Sequence, residues 1–396
     1  MSGALKRDES KTVRLGDVCD IYTGTGFPVQ YQGEKTGVFP FYKVGDISRN
    51  VSGGNVFLGN CDNFISEDVA KILKGTIIPK DTVVFAKIGE AVKLNRRAVT
   101  VQDCLVDNNA MGVCPNQARV FLSYFYHYMC HLRLETYAES TTVPSVKKSV
   151  IEKIKIPLPP LDIQRQIADT LDKVTELITL RKTQLEKLDE LVKARFVEMF
   201  GEPKENPKWY NKRQLKETCK VITGNTPSRA VSEYYGKHIE WIKTDNIVSG
   251  LINPTTATEF LSEEGMAVGR TVEKDSILMA CIAGSLSSIG RVCVTDRKVA
   301  FNQQINAIVP NDYNILFLYV LLQISKEYLV EEINMALKGI LSKSKLEEKE
   351  FIVPPMEVQE EFATFVEQTD KSKVIIQQSL DTLETLKKSL MQEYFG

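Results

Sequence analysis

IPLPPLDIQRQIADTLD, residues 156–172, and IVPPMEVQEEFATFVE, residues 352–367, decide the architecture of this chain. They are two versions of one stretch: PPLDIQ at 159–164 meets PPMEVQ at 354–359, a shift of 195. Proline stops a preceding strand and suits a helix entrance. Asp162 and Glu357 then stand where a helix N-terminus favours negative charge. From Ile163 no Gly or Pro occurs until Gly201. Spaced alternately by three and four, Leu171, Val174, Ile178, Arg181, Leu185, Leu188, Val192, Arg195 and Met199 are apolar at seven of nine positions. The positions 195 later, Val366, Thr369, Lys373, Ile376, Leu380, Leu383, Lys387, Leu390 and Tyr394, are apolar at six of nine. This spacing predicts a long helix with a coiled-coil seam, occurring twice. The helix-pairing candidates are Leu171, Val174, Ile178, Leu185, Leu188 and Val192 on one helix, and Ile376, Leu380, Leu383 and Leu390 on the other. The alternative is a helix packed on its own domain, but about 37 residues at 1.5 Å rise reach roughly 55 Å, more than a globule of about 150 residues needs.

Outward from these helices the repeat continues. At a shift of 200, Leu15, Cys19, Thr23 and Gly24 fall on Leu215, Cys219, Thr223 and Gly224, and Phe41, Lys43 and Ile47 on Trp241, Lys243 and Ile247. At 194, DTVVFAKI (81–88) meets DSILMACI (275–282). At 195, Asn108–Asn109 and Pro115–Asn116 meet Gln303–Gln304 and Pro310–Asn311, and MFG (199–201) meets YFG (394–396). VRLGDVCDIYTG, TVVFAKIG and AVTVQ read as strands; RVFLSYFYHYMCHL and ILFLYVLLQI read as helices. The stretches 48–80 and 248–274 do not align and read as inserts varied on a constant frame. The expectation is an α+β chain: two mixed α/β domains, 1–155 and 202–350, separated by two helical spacers, 156–201 and 351–396, that form an antiparallel coiled coil in a pseudo-two-fold internal repeat. Antiparallel pairing would put one globule at each end of the rod and match the two-fold axis of a DNA duplex.

The bulk composition agrees with globular protein: 43% apolar, 26% charged, net charge −1. Charge is uneven, however. Residues 1–150 carry 18 basic and 15 acidic side chains, residues 343–396 carry 7 and 11. Lys71, Lys74, Lys80, Lys87, Lys93, Arg96 and Arg97 crowd one stretch against only Asp81 and Glu90, which leaves a duplex partner open to the globular parts. Eight cysteines include no CxxC pair and there are three histidines, so no zinc spacing can be assembled and reduced thiols are expected. MSGALKRDESK, residues 1–11, has no apolar core for a secretion signal, and the run Ile315–Leu322 is too short to span a bilayer. A cytoplasmic protein with no membrane partner is expected.

In order and in doubling, these motifs resemble the specificity subunits of type I restriction–modification systems. IPLPPLDIQRQIADTLD and its weaker copy are similar to that family's helix entry, KWYNKRQLKETCKVITGNTPS (208–228) to the start of a target-recognition domain, and NQQINAIVP (302–310) to its later strand. The resemblance spans essentially the whole chain, although the first repeat lacks the Trp-Tyr lead-in and carries VDNNAMGVCP at 106–115. It implies two target-recognition domains that each read half of a split target in double-stranded DNA. It implies helices that fix the gap and dock two modification (methyltransferase) subunits, which carry S-adenosylmethionine and methylate adenine. Restriction subunits for translocation and cleavage are implied as further partners.

A catalytic centre is not expected in the chain, nor a cofactor or metal of its own. Asn206-Pro207-Lys208-Trp209 has Lys where an amino-methyltransferase motif needs a second proline, and reads as a turn. AGSLSSIG (283–290) lacks the Lys-Ser/Thr of a phosphate-binding loop and reads as a small-residue turn able to approach a DNA phosphate. His127, His131 and His238 have no Ser or Cys partner at a telling spacing. DNA-contact candidates are Lys43, Lys87, Lys93, Arg96 and Arg97 in the first globule and Lys243, Ser285, Arg291, Gln303 and Gln304 in the second, since Arg pairs two acceptors on guanine and Gln two groups on adenine. Each also has the plainer reading of a solvated or structural side chain. A self-sufficient methyltransferase or nuclease and a purely structural linker are the competing classes. The first lacks its cofactor loop; the second has no use for two divergent globules.

Overall fold

A computed structural model describes residues 12–59, 61–138, 143–331, 333 and 339–396; the reading of residues 1–11 as no secretion signal lies outside them. The chain divides into two compact units, residues 1–182 with 379–396, and residues 183–378.

In the first unit seven strands follow in chain order, β1 (Cys19–Thr23), β2 (Phe39–Tyr42), β3 (Phe64–Ile65), β4 (Val83–Ala86), β5 (Ala98–Val99), β6 (Leu105–Val106) and β7 (Ala110–Pro115), and form two sheets. One has order β1-β7-β4-β5, the other β3-β2-β6, with β2 parallel to β6. Helix α1 (Leu122–His131) follows, and then α2 (Leu161–Phe200). The second half of the chain repeats the plan with β8 (Cys219–Thr223), β9 (Tyr235–Ile242), β10 (Phe260–Leu261), β11 (Thr271–Val272), β12 (Ile277–Ala280), β13 (Val292–Val294), β14 (Val299–Phe301), β15 (Ile305–Pro310), helix α3 (Ile315–Ile324) and finally α4 (Met356–Phe395). Its sheets run β8-β15-β12-β13 and β10-β9-β14-β11, with β9 parallel to β14. Register repeats as well: Cys19 faces Pro115, and Cys219 faces Pro310. Before each long helix a short ladder closes the globule, Thr12–Arg14 on Lys155–Pro157 and Lys212–Gln214 on Glu350–Ile352.

Two sequence expectations are corrected. VRLGDVCDIYTG is not one strand: a 3₁₀ turn at Leu15–Asp17 breaks it, because Leu15 turns into the core with no exposure. The stretches 48–80 and 248–274 also align in part. At a shift of 196, Phe64-Ile65-Ser66-Glu67 matches Phe260-Leu261-Ser262-Glu263, a strand followed by a serine N-cap. Ser66 accepts from Val69 N at 3.3 Å and Ser262 from Gly265 N at 3.0 Å, each opening a six-residue helix. Between matched parts the first globule inserts a nine-residue helix, Val44–Ser52, where the second has only a turn at Thr244–Asn246, and this hid the register.

The PPLDIQ and PPMEVQ motifs now have a physical cause. Gln164 is wholly buried; its Nε2 donates to the carbonyls of Pro159 at 2.8 Å and Arg119 at 3.0 Å, and its Oε1 accepts from Phe121 N at 2.8 Å. Gln359 does the same with Pro354 O at 2.8 Å and Asn314 N at 2.9 Å. One amide thus joins the entrance of each long helix to the start of the short helix before it, satisfying backbone groups that burial would otherwise orphan.

Both long helices are 40 residues long and unbroken. Leu171, Val174 and Ile178 are buried, Leu185 and Leu188 half-buried, Val192 buried; on α4, Leu380 is buried while Ile376, Leu383 and Leu390 are half-buried. Within the first unit Lys182 pairs with Glu384 at 3.0 Å, and Leu171 shares a core with Met391. Within the second, Arg195 meets Glu361 at 3.2 Å and Asp189 meets Lys373. In each unit a step back along α2 is a step forward along α4, so the stretches run antiparallel.

Candidate nucleic-acid interface

The frame around the candidate residues is set by two glycines. A side chain at Gly24 would lie 1.8 Å from the carbonyl oxygen of Asp107, and one at Gly224 2.1 Å from that of Asn302, so only glycine lets the loop after β1 or β8 cross this turn. The crossing is tied by matching bonds: Gly24 N to Ala110 O at 3.2 Å and Gly224 N to Ile305 O at 3.0 Å. The turns themselves present amides. Asn108 and Asn109 are exposed in the first, Gln303 is exposed and Gln304 half-buried in the second. Thr226, on the second loop, donates to Gln303, and Gln304 Oε1 accepts from Asn302 at 3.1 Å. Each of the two glutamine amides therefore has one polar end engaged by protein.

The cations are less alike. Lys43 lies 5.6 Å from the centre of the Phe27 ring, which stacks at 3.7 Å on Phe41, and its Nζ donates to Gln32 at 2.5 Å. Lys243 lies 5.1 Å over Trp241 but is paired with Glu259. Glu259 also takes Arg229 Nη2 at 2.5 Å, and the hydrogen bond from Lys243 above all holds its carboxyl below the ordinary range. Lys87 and Arg96 are half-buried; Lys93 is exposed but paired with Glu90 at 2.8 Å. Arg291 donates to Ser288 O at 3.3 Å and Thr244 O at 3.2 Å, folding the AGSLSSIG turn against the globule. There the Ser285 hydroxyl is exposed and bonded to Ser287 and Ser288.

Arg97 is a correction. It is 2% exposed, and its guanidinium donates to Met129 O at 3.2 Å, Arg96 O at 2.9 Å, Asn95 Oδ1 at 2.7 Å and Leu132 O at 3.4 Å, above the Phe85 ring. Burial pulls its pKa down to about 10. It closes the C-terminal end of α1, whose last carbonyls lack partners within the helix, and cannot reach a duplex. Sequence gave no sign of this, since a basic run reads alike whether it points in or out. Reasoning from sequence also missed Arg229, Tyr235 and Glu259. The aromatic-and-basic spacing of Arg229, Tyr235, Trp241 and Lys243 was the available signal.

Of the histidines, His127 is buried and bonded to Asp172 at 2.6 Å, and Ser123 donates to the same carboxylate at 2.7 Å. The carboxylate stands between serine and imidazole, so the imidazole is not placed to take the serine proton; the group joins α1 to α2. Asn206–Trp209 is a turn, with Asn206 accepting from Trp209 N at 3.0 Å, and Lys208 caps the end of α2 through Glu198 and Met199 carbonyls. Every cysteine is a free thiol. Among the described residues no group of acids, thiols or imidazoles is arranged to hold a metal, and no helix is long and apolar enough to cross a membrane.

Comparison with known proteins gives a consistent picture. The family model for the type I restriction modification DNA specificity domain matches twice, at residues 7–190 and 207–385. The type I restriction enzyme MjaVIII specificity subunit of Methanocaldococcus jannaschii is 22% identical over 99% of this chain and 93% of its own length. The HindI specificity subunit of Haemophilus influenzae is 29% identical over 37% of this chain and 34% of its own. Among solved structures, the S subunit of the type I restriction–modification system of M. genitalium superposes with a TM-score of 0.58 at 15% identity, covering 100% of this chain and 99% of that one. That likeness is one of fold.

Proposed function

Because the chain belongs to the type I restriction–modification DNA specificity family, we propose that residues 1–155 and 202–350 each read one half of a split, asymmetric target in double-stranded DNA. The subunit's role is recognition, the role its curated relatives are named for. Methylation of adenine and cleavage fall to partner subunits in the cytoplasm, two modification subunits and the restriction subunits. The observation that carries the reading is the doubled frame. The same glycine crossing and the same turn recur, but with Asn108–Asn109 in one copy and Gln303–Gln304 in the other. Constant backbone with altered polar tips is what reading two different half-sites requires. The helical spacers 156–201 and 351–396 supply the gap, and the exposed Leu177, Leu180, Leu191, Val374, Ile375 and Leu386 offer apolar surface for the modification subunits.

The test is selection from a randomised duplex by the chain assembled with its modification subunits, read as methylated adenine. Expected is a two-part motif, its half-site centres about one turn, roughly 34 Å, apart. Inserting seven residues into one long helix should change or abolish the preferred gap. A linker protein would enrich no motif, and an unchanged gap would refute the spacer role.

A further inference from the structure

A guanidinium in the second unit is held in one plane by three neighbours. Arg229 sits on the loop that leaves Gly224, and its Nη2 donates to Glu259 Oε2 at 2.5 Å. The guanidinium carbon lies 4.4 Å from the centre of the Tyr235 ring and 5.1 Å from that of Trp241. Tyr235 is itself fixed, its hydroxyl donating to Pro227 O at 2.6 Å, and Trp241 is buried. Glu259 is fixed in turn by Lys243, so its charge is shared between two cations. The side chain of Arg229 is nonetheless 56% exposed. It borders an open concavity of about 750 Å³ lined also by Gly236, Lys237 and Phe260.

A long flexible cation loses rotamer freedom when it binds, and a pre-set one loses less. With one edge of the fork taken by a carboxylate and its face by aromatic rings, the remaining N–H groups lie in a defined plane. Two parallel donors in a plane match the N7 and O6 acceptors that guanine alone presents in the major groove. A lysine that served phosphate would need none of this support, because phosphate is met equally well from many directions. Thr226 on the same loop holds Gln303, which ties an amide of the turn between β14 and β15 to the loop that carries the guanidinium. Among the described residues the first unit has no counterpart. Exposed Val29 stands 200 residues before Arg229, and where Glu259 stands the first unit has buried Asn63, whose Oδ1 accepts from Gly33 N at 2.9 Å.

We propose that Arg229 reads a guanine in the half-site served by residues 202–350, with Glu259, Tyr235 and Trp241 as its positioning residues. The proposal rests on the chain's being a DNA specificity subunit. The experiment uses the full chain assembled with its modification subunits and a randomised duplex library, scored by adenine methylation at several salt concentrations. Wild type, Arg229→Gln, Arg229→Lys and Glu259→Gln are compared, and a parallel chain with residues 202–350 exchanged assigns the half-sites. Expected is a G·C pair in the half assigned to residues 202–350, with discrimination there falling roughly ten- to hundredfold in Arg229→Gln. Arg229→Lys should not restore it, Glu259→Gln should weaken it a few-fold, and the other half should stay unchanged. The proposal is overturned by no G·C pair in that half, or by relaxation in the wrong half or at no position. It also fails if Arg229→Gln weakens all duplexes alike and lowers the salt slope by about one, the mark of a phosphate contact. Failure of wild type to enrich any motif sinks the subunit reading itself, whereas a motif with an untouched guanine sinks only Arg229.

Discussion

Both units seat the short helix with rings, Tyr124 and Tyr128 on Phe395 in the first, but the first adds polar joints where the second has apolar side chains. Against α2, α1 presents Ser123 and His127, both bonded to Asp172, and its C-terminal carbonyls are closed by Arg97. At the matching places the second unit has half-buried Leu316 and buried Val320 and Val292. There Phe317 packs with Phe196, Phe200 and Phe362 at ring distances of 5.5, 4.9 and 6.4 Å. The four-stranded sheets β1-β7-β4-β5 and β8-β15-β12-β13, the glycine crossings and the helix entrances nonetheless correspond. A duplicated fold is therefore held in common by its backbone hydrogen bonds, while the side-chain joints are free to drift between polar and apolar solutions of similar volume.

The largest effect expected from this contrast concerns the target. If the frame is common and the tips differ, exchanging residues 1–150 for those of another family member should replace one half-site completely and leave the other and the gap as they were. Methylome sequencing of cells carrying either chain reads this directly. Change in both halves would mean that the units do not read independently.

Stability differs next. Replacing Arg97 by Met removes donors from the carbonyls of Met129 and Leu132. At about 1–3 kcal/mol for each buried group left unsatisfied, the cost should reach roughly 3–4 kcal/mol in the first unit. Val292→Ala at the matching place loses only two methyl groups, about 1–2 kcal/mol. Hydrogen exchange resolved by segment should show the first loss confined to residues near α1. Equal effects in both units would contradict the contrast. Gln164→Leu and Gln359→Leu sharpen it from the other side. Because both amides make the same bonds, each should cost about 2–3 kcal/mol, and a difference above about 1 kcal/mol would show that the helix entrances are not equivalent.

Much of this was legible in the chain itself, for reasons that particular residues explain. The long helices showed because a seam of Leu and Val repeats at a spacing only a helix gives, and the doubling showed because Gly24, Gly224, Gln164 and Gln359 occupy places that accept nothing else. The insert boundaries were hidden, since one added helix, Val44–Ser52, shifts the register by a few residues. The site was least legible. Arg97 and Lys93 stand in one basic run, yet one is buried under a helix end and the other paired with Glu90 at the surface. Which way a side chain faces is fixed by tertiary packing that neighbours in sequence do not record.

The smallest effect separates the two joints by pH. Partial burial opposes ionisation of Asp172, but hydrogen bonds from His127 and Ser123 prevail and hold its carboxyl below the ordinary value. A carboxylate depressed in the folded state contributes stability that is complete above its unfolded value, near pH 4, and is lost as pH falls through the lower folded value. The first joint should thus loosen in acid, below about pH 4, while at the place of Asp172 the second unit carries an exposed Glu367, with Leu316 and Val320 where the first has Ser123 and His127. Asp172→Asn should cost about 1 kcal/mol at neutral pH and remove that acid-dependent part, so that wild type and variant converge as pH falls. Exchange protection in α1, followed against protection in α3 from pH 7 to pH 3, reads the difference. Parallel loss in both helices would assign acid sensitivity to the molecule's charge as a whole, and the polar joint would then be only a different way of filling the same space.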